Sequence, residues 1–374
     1  MLVHFSILAT ILILGFIYDE KIKVEKIGAA LEGNSISNVK SPVLPWFLLF
    51  SLITFYACIR TYVNDTAVYV FSFNNLNPSW DNVSEILSGD SKDKGFYILQ
   101  NIFKMYVSTD YHMWFLFISI LESILLLYVF KAETVSFLDA SFFFFSSTLY
   151  FNYFSMMRQW LAICITFAGY SFIKEKRFIP YLLICIIAAQ FHNSAYFMIF
   201  IYFLVQDKPW KRKQNVLLLL AFISLIFFQP LLNYLDSSAQ GTTYEYVFST
   251  MKEGAGSSIV RPFIYLVPVA LSYLHRNEIY DDFINKCVNI SVLSFLLSIL
   301  ATFTSGLFVN RFMTYLNLYN VILFPYLLNV SYRDNKNVRV LFYIFYFIFY
   351  LYQMYYGDSF NFSSDLFTIF NYWE

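Results

Sequence analysis

Long apolar runs alternate with short polar clusters along almost the whole chain. Runs of this kind predict helices that cross a bilayer, whose hydrocarbon core of about 30 Å takes ~20 residues of helix. The pattern predicts spans at 2–18, 44–60, 112–130, 136–152, 158–173, 178–191, 193–206, 215–233, 262–274, 287–305, 312–330 and 339–356. That makes about twelve transmembrane helices, several of them short or re-entrant, in a single integral membrane domain over 1–374. The first run has the length of a leader peptide, yet no basic stretch precedes it and no small-residue cleavage site follows. It reads as a membrane helix with its N-terminus outside.

One stretch departs from simple alternation. Phe178 to Gln206 is 29 residues without an Asp, Glu, Lys or Arg. As one helix it would be about 43 Å long, well beyond the bilayer core. It would also put the basic clusters "KEKR" (174–177) and "KPWKRK" (208–213) on opposite sides. A hairpin keeps them together, with arms of about 14 residues that reach only about 21 Å. Its tip, "QFHNS", then sits recessed in the outer half of the membrane. A break in helix at that depth survives only where protein or a wet cavity surrounds it. The spacing therefore predicts that His192 faces a cavity open to the outside.

Two further segments read as external interfacial helices. Residues 95–108 place Phe96, Leu99, Phe103 and Tyr106 on one helical stripe. Residues 360–373 are aromatic with few charges. The long external loops are 61–111 and 234–261; the second, with Gly241, Gly254 and Gly256 among several serines, reads as mobile.

Composition sharpens this picture. Of 374 residues 59% are hydrophobic, 22% aromatic and only 13% charged, about half the charge of a soluble domain. Mean hydropathy is +0.56. Net charge is zero, so overall charge points to no class of partner, nucleic acid included. Cys58, Cys164, Cys185 and Cys287 lie in apolar runs without paired spacing and read as packing residues. The basic clusters, with "RDNKNVR" (333–339), share a side only if both termini lie outside. That arrangement puts 17 of the 25 Lys and Arg inside and 8 outside.

The outside cations are not scattered. Arg60, Arg158, Arg261 and Arg311 all stand at outer ends of predicted helices, the last three in first turns. The helix dipole disfavours a cation there. Helix N–H groups and a guanidinium fork together suit phosphate oxygens. Each one alone also fits a snorkelling anchor. Asp65, at the start of an outer loop, fits either an arginine partner or a base, and Glu245 reads likewise. Glu122 and Asp139 lie within spans and require structural partners, or protonation for Glu122. His112 and His275 read as interfacial. No soluble catalytic signature is present, and no outward pair of acids has metal-ligand spacing, so neither metal nor cofactor is expected.

Several stretches, in order over roughly 50–330, resemble the EpsG family. They are "IRTYVNDTAVYVF" (59–71), "DKGFYILQNIF" (93–103), "FSMMRQWLAICITFAGYSFIKEKR" (154–177), "AAQFHNSAYF" (188–197) and "NRFMTYLNLYNVILFPYLL" (310–328). One departure is Lys94, where the pattern calls for an acid before the Gly-aromatic pair. The resemblance implies a Wzy-type polymerase with a GT-C-like fold in the bacterial cytoplasmic membrane. Such an enzyme joins undecaprenyl-diphosphate-linked oligosaccharide repeats on the outer face, among membrane lipids and in some systems with a chain-length regulator. On this reading Arg158, Arg261 and Arg311 bind diphosphate, and Arg60 supports them or orients Asp65. His192 is the base or positions the acceptor, with Gln190 and Asn193 orienting it or the sugar. Tyr69, Gln159 and Tyr315, within the matching stretches, join the substrate-binding candidates. A ligase using the same carrier, and a lipid-linked sugar flippase, remain alternatives.

Overall fold

The computed structural model describes residues 2–90, 92–238, 257–279, 281–303, 306–333, 335–356 and 362–364. Every regular element among them is helical. In chain order these are α1 (Leu2–Leu31), α2 (Leu44–Ile59), α3 (Thr66–Asn74), α4 (Trp80–Ser88), α5 (Lys94–Tyr106) and α6 (Tyr111–Glu133). Next come α7 (Phe137–Ser146), α8 (Asn152–Ser155), α9 (Met157–Ala168), α10 (Tyr170–Lys174), α11 (Phe178–Ala189) and α12 (Phe197–Leu204). The last are α13 (Arg212–Ser238), α14 (Val260–Leu274), α15 (Asp282–Phe303), α16 (Gly306–Ser331) and α17 (Lys336–Tyr356).

Each of the twelve predicted runs folds mainly as helix. Among the described residues four helices have the length and apolarity to cross a membrane: the first part of α1 (Leu2–Asp19), α6, α15 and α17. Shorter apolar helices, α2, α7, α11, α12 and α14 among them, accompany these. The protein is thus an all-helical membrane protein. The interior is aromatic. Trp46 stacks on Phe50 and meets Phe137 edge-on at 4.7 Å, and Phe167 meets Tyr319 edge-on at 5.0 Å. Such pairs add about 0.5–1.5 kcal/mol each beyond their buried area. The framework pairs α15 with α16, α2 with α6, α14 with α15, α6 with α9 and α1 with α7.

The helices depart from the predicted runs where local chemistry intervenes. α1 continues to Leu31 because Lys26, fully buried, donates to the carbonyls of Lys131, Ala132 and Thr134 at 2.8–3.0 Å. These are the free carbonyls at the end of α6, which a cation caps favourably. The run 136–152 breaks after Ser146, where Thr148 turns left-handed (φ 63°) and a short 3-10 turn leads into α8. The run 158–173 is interrupted at Gly169.

The external stretch after α2 is itself helical. Ser79 caps α4 by accepting from the Asn82 N–H at 3.0 Å. The stripe on α5 turns inward: Phe96 and Phe103 are buried against Phe73, Trp114 and Phe115, while Tyr106 stays exposed. Most of the 234–261 loop, with Glu245, and most of the 360–373 tail lie outside the described residues. From the tail, Ser363 pairs with Tyr62 in an isolated antiparallel bridge.

Candidate functional site

The hairpin forms as the apolar run predicts. α11 ends at Ala189, "QFH" turns, and a 3-10 turn over Asn193–Tyr196 leads into α12. The tip rests on the first turn of α5. A Cβ on Gly95 would lie 2.6 Å from the Gln190 Cβ and 3.0 Å from its carbonyl oxygen. Only glycine lets the two backbones approach this closely. The Phe96 N–H donates to that same carbonyl at 3.3 Å.

Two residues before Gly95 the backbone leaves the usual region. Asp93 is left-handed (φ 57°), a conformation that costs a non-glycine residue of order 1 kcal/mol or more. As the N-cap of α5 it does not use its side chain to cap that helix. The carboxylate, buried at 8% exposure, reaches two other elements instead. It accepts from Arg158 Nη1 of α9 at 3.0 Å and from the Asn193 N–H of the hairpin at 3.2 Å. Arg158 Nη1 also donates to the Tyr97 hydroxyl at 3.0 Å. Its guanidinium stands 5.6 Å from the Tyr97 ring and 6.0 Å from that of Tyr69, within cation–π range. Asp93 therefore holds α5, α9 and the hairpin tip together, and Arg158 keeps 31% of its side chain exposed.

His192 faces the same group of charges. Its Nδ1 lies 2.6 Å from Ser194 Oγ and accepts from the Ser194 N–H at 3.3 Å. Ser194 Oγ in turn meets the hydroxyl of buried Tyr315 on α16 at 2.9 Å. A lone pair used at Nδ1 leaves the proton of the neutral ring on Nε2. Burial lowers the affinity of the ring for a second proton; Asp93 raises it, and Arg158 and Arg311 lower it further. The net shift is downward from the usual imidazole value, so the ring is neutral near pH 7.

Beside this cluster lies a cavity of about 980 Å³. Asp65, Asn152, Arg261, Asn310, Arg311 and Asn317 are among its lining residues. Arg311 belongs to both regions. It lines the cavity, it acts electrostatically on His192, and its carbonyl accepts from Gln159 Nε2, next to Arg158, at 2.8 Å. Parts of the wall are pinned: Asn310 Nδ2 donates to Ser257 Oγ at 2.8 Å, and Asn317 Nδ2 to the Tyr265 hydroxyl at 2.9 Å.

The sequence candidates thus separate into groups. Arg158, His192 and Arg311 are brought together, with Tyr69, Gln159 and Tyr315 supporting them. Asp65 and Arg261 line the cavity. Asn193 contributes its backbone N–H. Gln190 contributes packing; its exposed side chain bonds only back to the Ile186 carbonyl, at 3.4 Å. Arg60 is not in the site. It is fully buried, its guanidinium 4.0 Å from the Phe115 ring, and it donates to the Ala57 carbonyl. Glu122, also buried, lies within the field of Arg60. Glu245 falls outside the described residues.

Sequence reasoning missed Asp93, Tyr97 and Ser194. The signal for the first was present. The family pattern calls for an acid at the position of Lys94, and the chain carries one a residue earlier, whose left-handed backbone swings the carboxylate inward. Lys94 turns away and donates to the Leu87 carbonyl at 2.8 Å. Among the described residues no three His, Cys, Asp or Glu side chains converge as metal ligands.

No curated protein and no solved structure matches the chain. The model of the EpsG family matches residues 43–372, which takes in the Asp93–Arg158 pair, the hairpin and every described residue of the cavity wall. The family is one of membrane polysaccharide polymerases, and this chain belongs to the EpsG family.

Proposed function

We propose that the protein is a Wzy-type glycosyltransferase that joins undecaprenyl-diphosphate-linked oligosaccharide repeats on the outer face of the bacterial cytoplasmic membrane. The observation that carries this reading is the convergence of Arg158, Arg311 and His192 from three separate elements beside a polar cavity. A lipid diphosphate is a dianionic leaving group held at the membrane boundary. Two guanidinium groups, Arg158 partly buried and Arg311 exposed at the cavity wall, supply fixed positive charge where negative charge develops. The neutral His192 ring donates from Nε2 to the same diphosphate or to the acceptor and positions it.

The reaction forms a bond between an acceptor hydroxyl oxygen and the anomeric carbon of the donor. The bond from that carbon to the diphosphate oxygen breaks, and its electron pair leaves with the diphosphate. The hydroxyl proton passes to a base. Asp65, an exposed carboxylate in the cavity wall, supports that role better than His192, whose Nδ1 is already engaged. Asp93 acts through Arg158 as a positioning residue. A relationship to GT-C folds and an external location of both termini belong to the same proposal.

The test is turnover of a lipid-linked repeat by the full chain in lipid nanodiscs. Wild type yields a ladder of products from the lipid-linked repeat alone, whereas a ligase needs a second acceptor and a flippase releases no diphosphate. Arg158→Ala, Arg311→Ala and His192→Ala each lower diphosphate release. Undiminished ladders from all three variants would sink the assignment.

A further inference from the structure

The charges in the cavity do not balance once the diphosphate is assigned. Arg311, tied through its carbonyl to Gln159 next to Arg158, is taken up with Arg158 by the diphosphate in the reading above. Neither Arg158 nor His192 lines the cavity. Arg261 does, at the first turn of α14, and among the described residues it forms no ion pair. The acid in the described wall is Asp65, set against Arg261 and Arg311. A cation in the first turn of a helix meets the positive end of the helix dipole and gains nothing from its own helix.

The rest of the wall suits carbohydrate. Asn64, Asn152 and Asn310 bring amides to the wall, where the Asn317 amide is engaged by Ser294 and Tyr265, and Tyr265 and Tyr352 bring rings. Amides pair with vicinal hydroxyls, and aromatic rings take the apolar faces of pyranoses. Asn310 Oδ1 is buried without a hydrogen-bond partner, an acceptor open to a hydroxyl donor after a small side-chain movement. The volume, about 980 Å³, lies at the upper end for small-molecule sites, which run to ~1,000 Å³, and accommodates several sugar rings.

We propose that this cavity is a subsite for an acidic oligosaccharide, in which Arg261 pairs with an anionic group carried on the glycan itself. The proposal rests on the polymerase reading for the origin of its ligand, but it concerns binding and not turnover. Its rival is that Arg261 takes the diphosphate of the second lipid-linked substrate. The two differ in a simple way: an acid on the sugar persists when the lipid diphosphate is removed.

The experiment uses the lipid-linked repeat that accumulates in cells whose copy of this gene is deleted. The glycan is released by mild acid, which removes lipid and diphosphate, and its composition is determined. A neutral repeat overturns the proposal at once. With an acidic repeat, affinity for the full chain in nanodiscs is measured by calorimetry. The ligands are the released oligosaccharide and its counterpart with the acid removed, by carboxyl reduction or phosphate hydrolysis. The acidic form binds about tenfold more tightly, Arg261→Gln abolishes that difference, and Arg261→Lys restores part of it. Equal affinities for the two forms, or an undiminished preference in Arg261→Gln, overturn it. Loss of lipid-linked turnover in Arg261→Gln without loss of the preference assigns Arg261 to the second diphosphate. Failure of the polymerase reading is distinct: acid-dependent binding then persists while wild type releases no diphosphate.

Discussion

The two ends of α6 hold buried charge in opposite ways. At its C-terminal end and just beyond, charges are enclosed by partners. Asp139, 3% exposed, takes Lys23 at 3.3 Å, Arg339 at 3.6 Å, Asn329 Nδ2 at 2.6 Å and the Tyr343 hydroxyl. Asp19 accepts from Ser136 and from the Leu138 N–H, and Glu133 meets Lys174 at 2.9 Å. At its N-terminal end lies the site, where one carboxylate answers Arg158 while Arg261 and Arg311 form no ion pair among the described residues. Charges paired inside the helix packing hold helices together and have no cavity from which a ligand could reach them. Incompletely satisfied charges beside a cavity retain that capacity. Ionisable groups in a membrane protein are costly wherever they occur, and a cavity beside the unpaired ones is what separates Arg261 and Arg311 from Arg60, which is buried with two guanidinium nitrogens unpartnered and no cavity against it.

This contrast can be broken by substitution. Arg158→Ala removes one of the two guanidinium groups assigned to the leaving group, and turnover falls by about 10²–10³-fold, the usual effect of losing one preorganised donor. Its stability falls by only about 1 kcal/mol, because Arg158 is partly exposed and the buried Asp93 keeps the Asn193 N–H as a donor. A loss in stability equal to the loss in rate would make Arg158 a structural residue like those around Asp139.

Asp139→Ala has the reverse signature. It leaves Lys23 and Arg339 facing a vacated, buried position, and stability drops by about 3–5 kcal/mol. Turnover per folded molecule is unchanged. Denaturant unfolding in mixed micelles, with activity normalised to folded protein, checks both. A folded, inactive Asp139→Ala protein would erase the distinction between the two ends.

Gly95→Ala tests the contact on which the hairpin tip rests. The added methyl group meets backbone atoms of Gln190, so the tip must shift, at a cost of about 1–3 kcal/mol. Activity declines with it, since the Asp93–Asn193 contact is displaced. An unaffected melting curve would show that the tip is not seated on α5.

The smallest effect sharpens the electrostatics. The His192 ring binds its second proton more weakly than a free imidazole, whose value is about 6.5. Arg311→Gln removes a repelling charge and raises the midpoint; Asp93→Asn removes an attracting one and lowers it. Because the folded value is the depressed one, the neutral ring's contribution to stability is complete above about pH 6.5 and is lost as pH falls through the lowered midpoint. Titration of a ¹³C-labelled histidine signal reads both shifts. Movement of the two variants in the same direction would place Arg311 or Asp93 beyond reach of the ring.

Much of the architecture was legible before any coordinates. Apolar run lengths predicted the helices, and the excess length of Phe178–Gln206 predicted a hairpin with His192 at its tip. The outer-end positions of Arg158, Arg261 and Arg311 were equally plain, with first turns observed for Arg158 and Arg261 while α16 starts at Gly306 and sets Arg311 in its second turn. Arg60 shared their pattern and does not share their surroundings: it lies at the end of α2, under Phe115, where packing encloses it.

Hydropathy, charge and helix period are properties of neighbouring residues, and the sequence by itself therefore determined an all-helical membrane protein, its broken hairpin and the helix ends that carry its arginines. Which of those ends meet was decided only by tertiary structure. Asp93 reaches Arg158 across 65 positions and Asn193 across 100, and the cavity wall draws on α8, α14, α16 and α17. Such contacts depend on how aromatic surfaces interlock between distant helices, and no periodicity within a single helix records that.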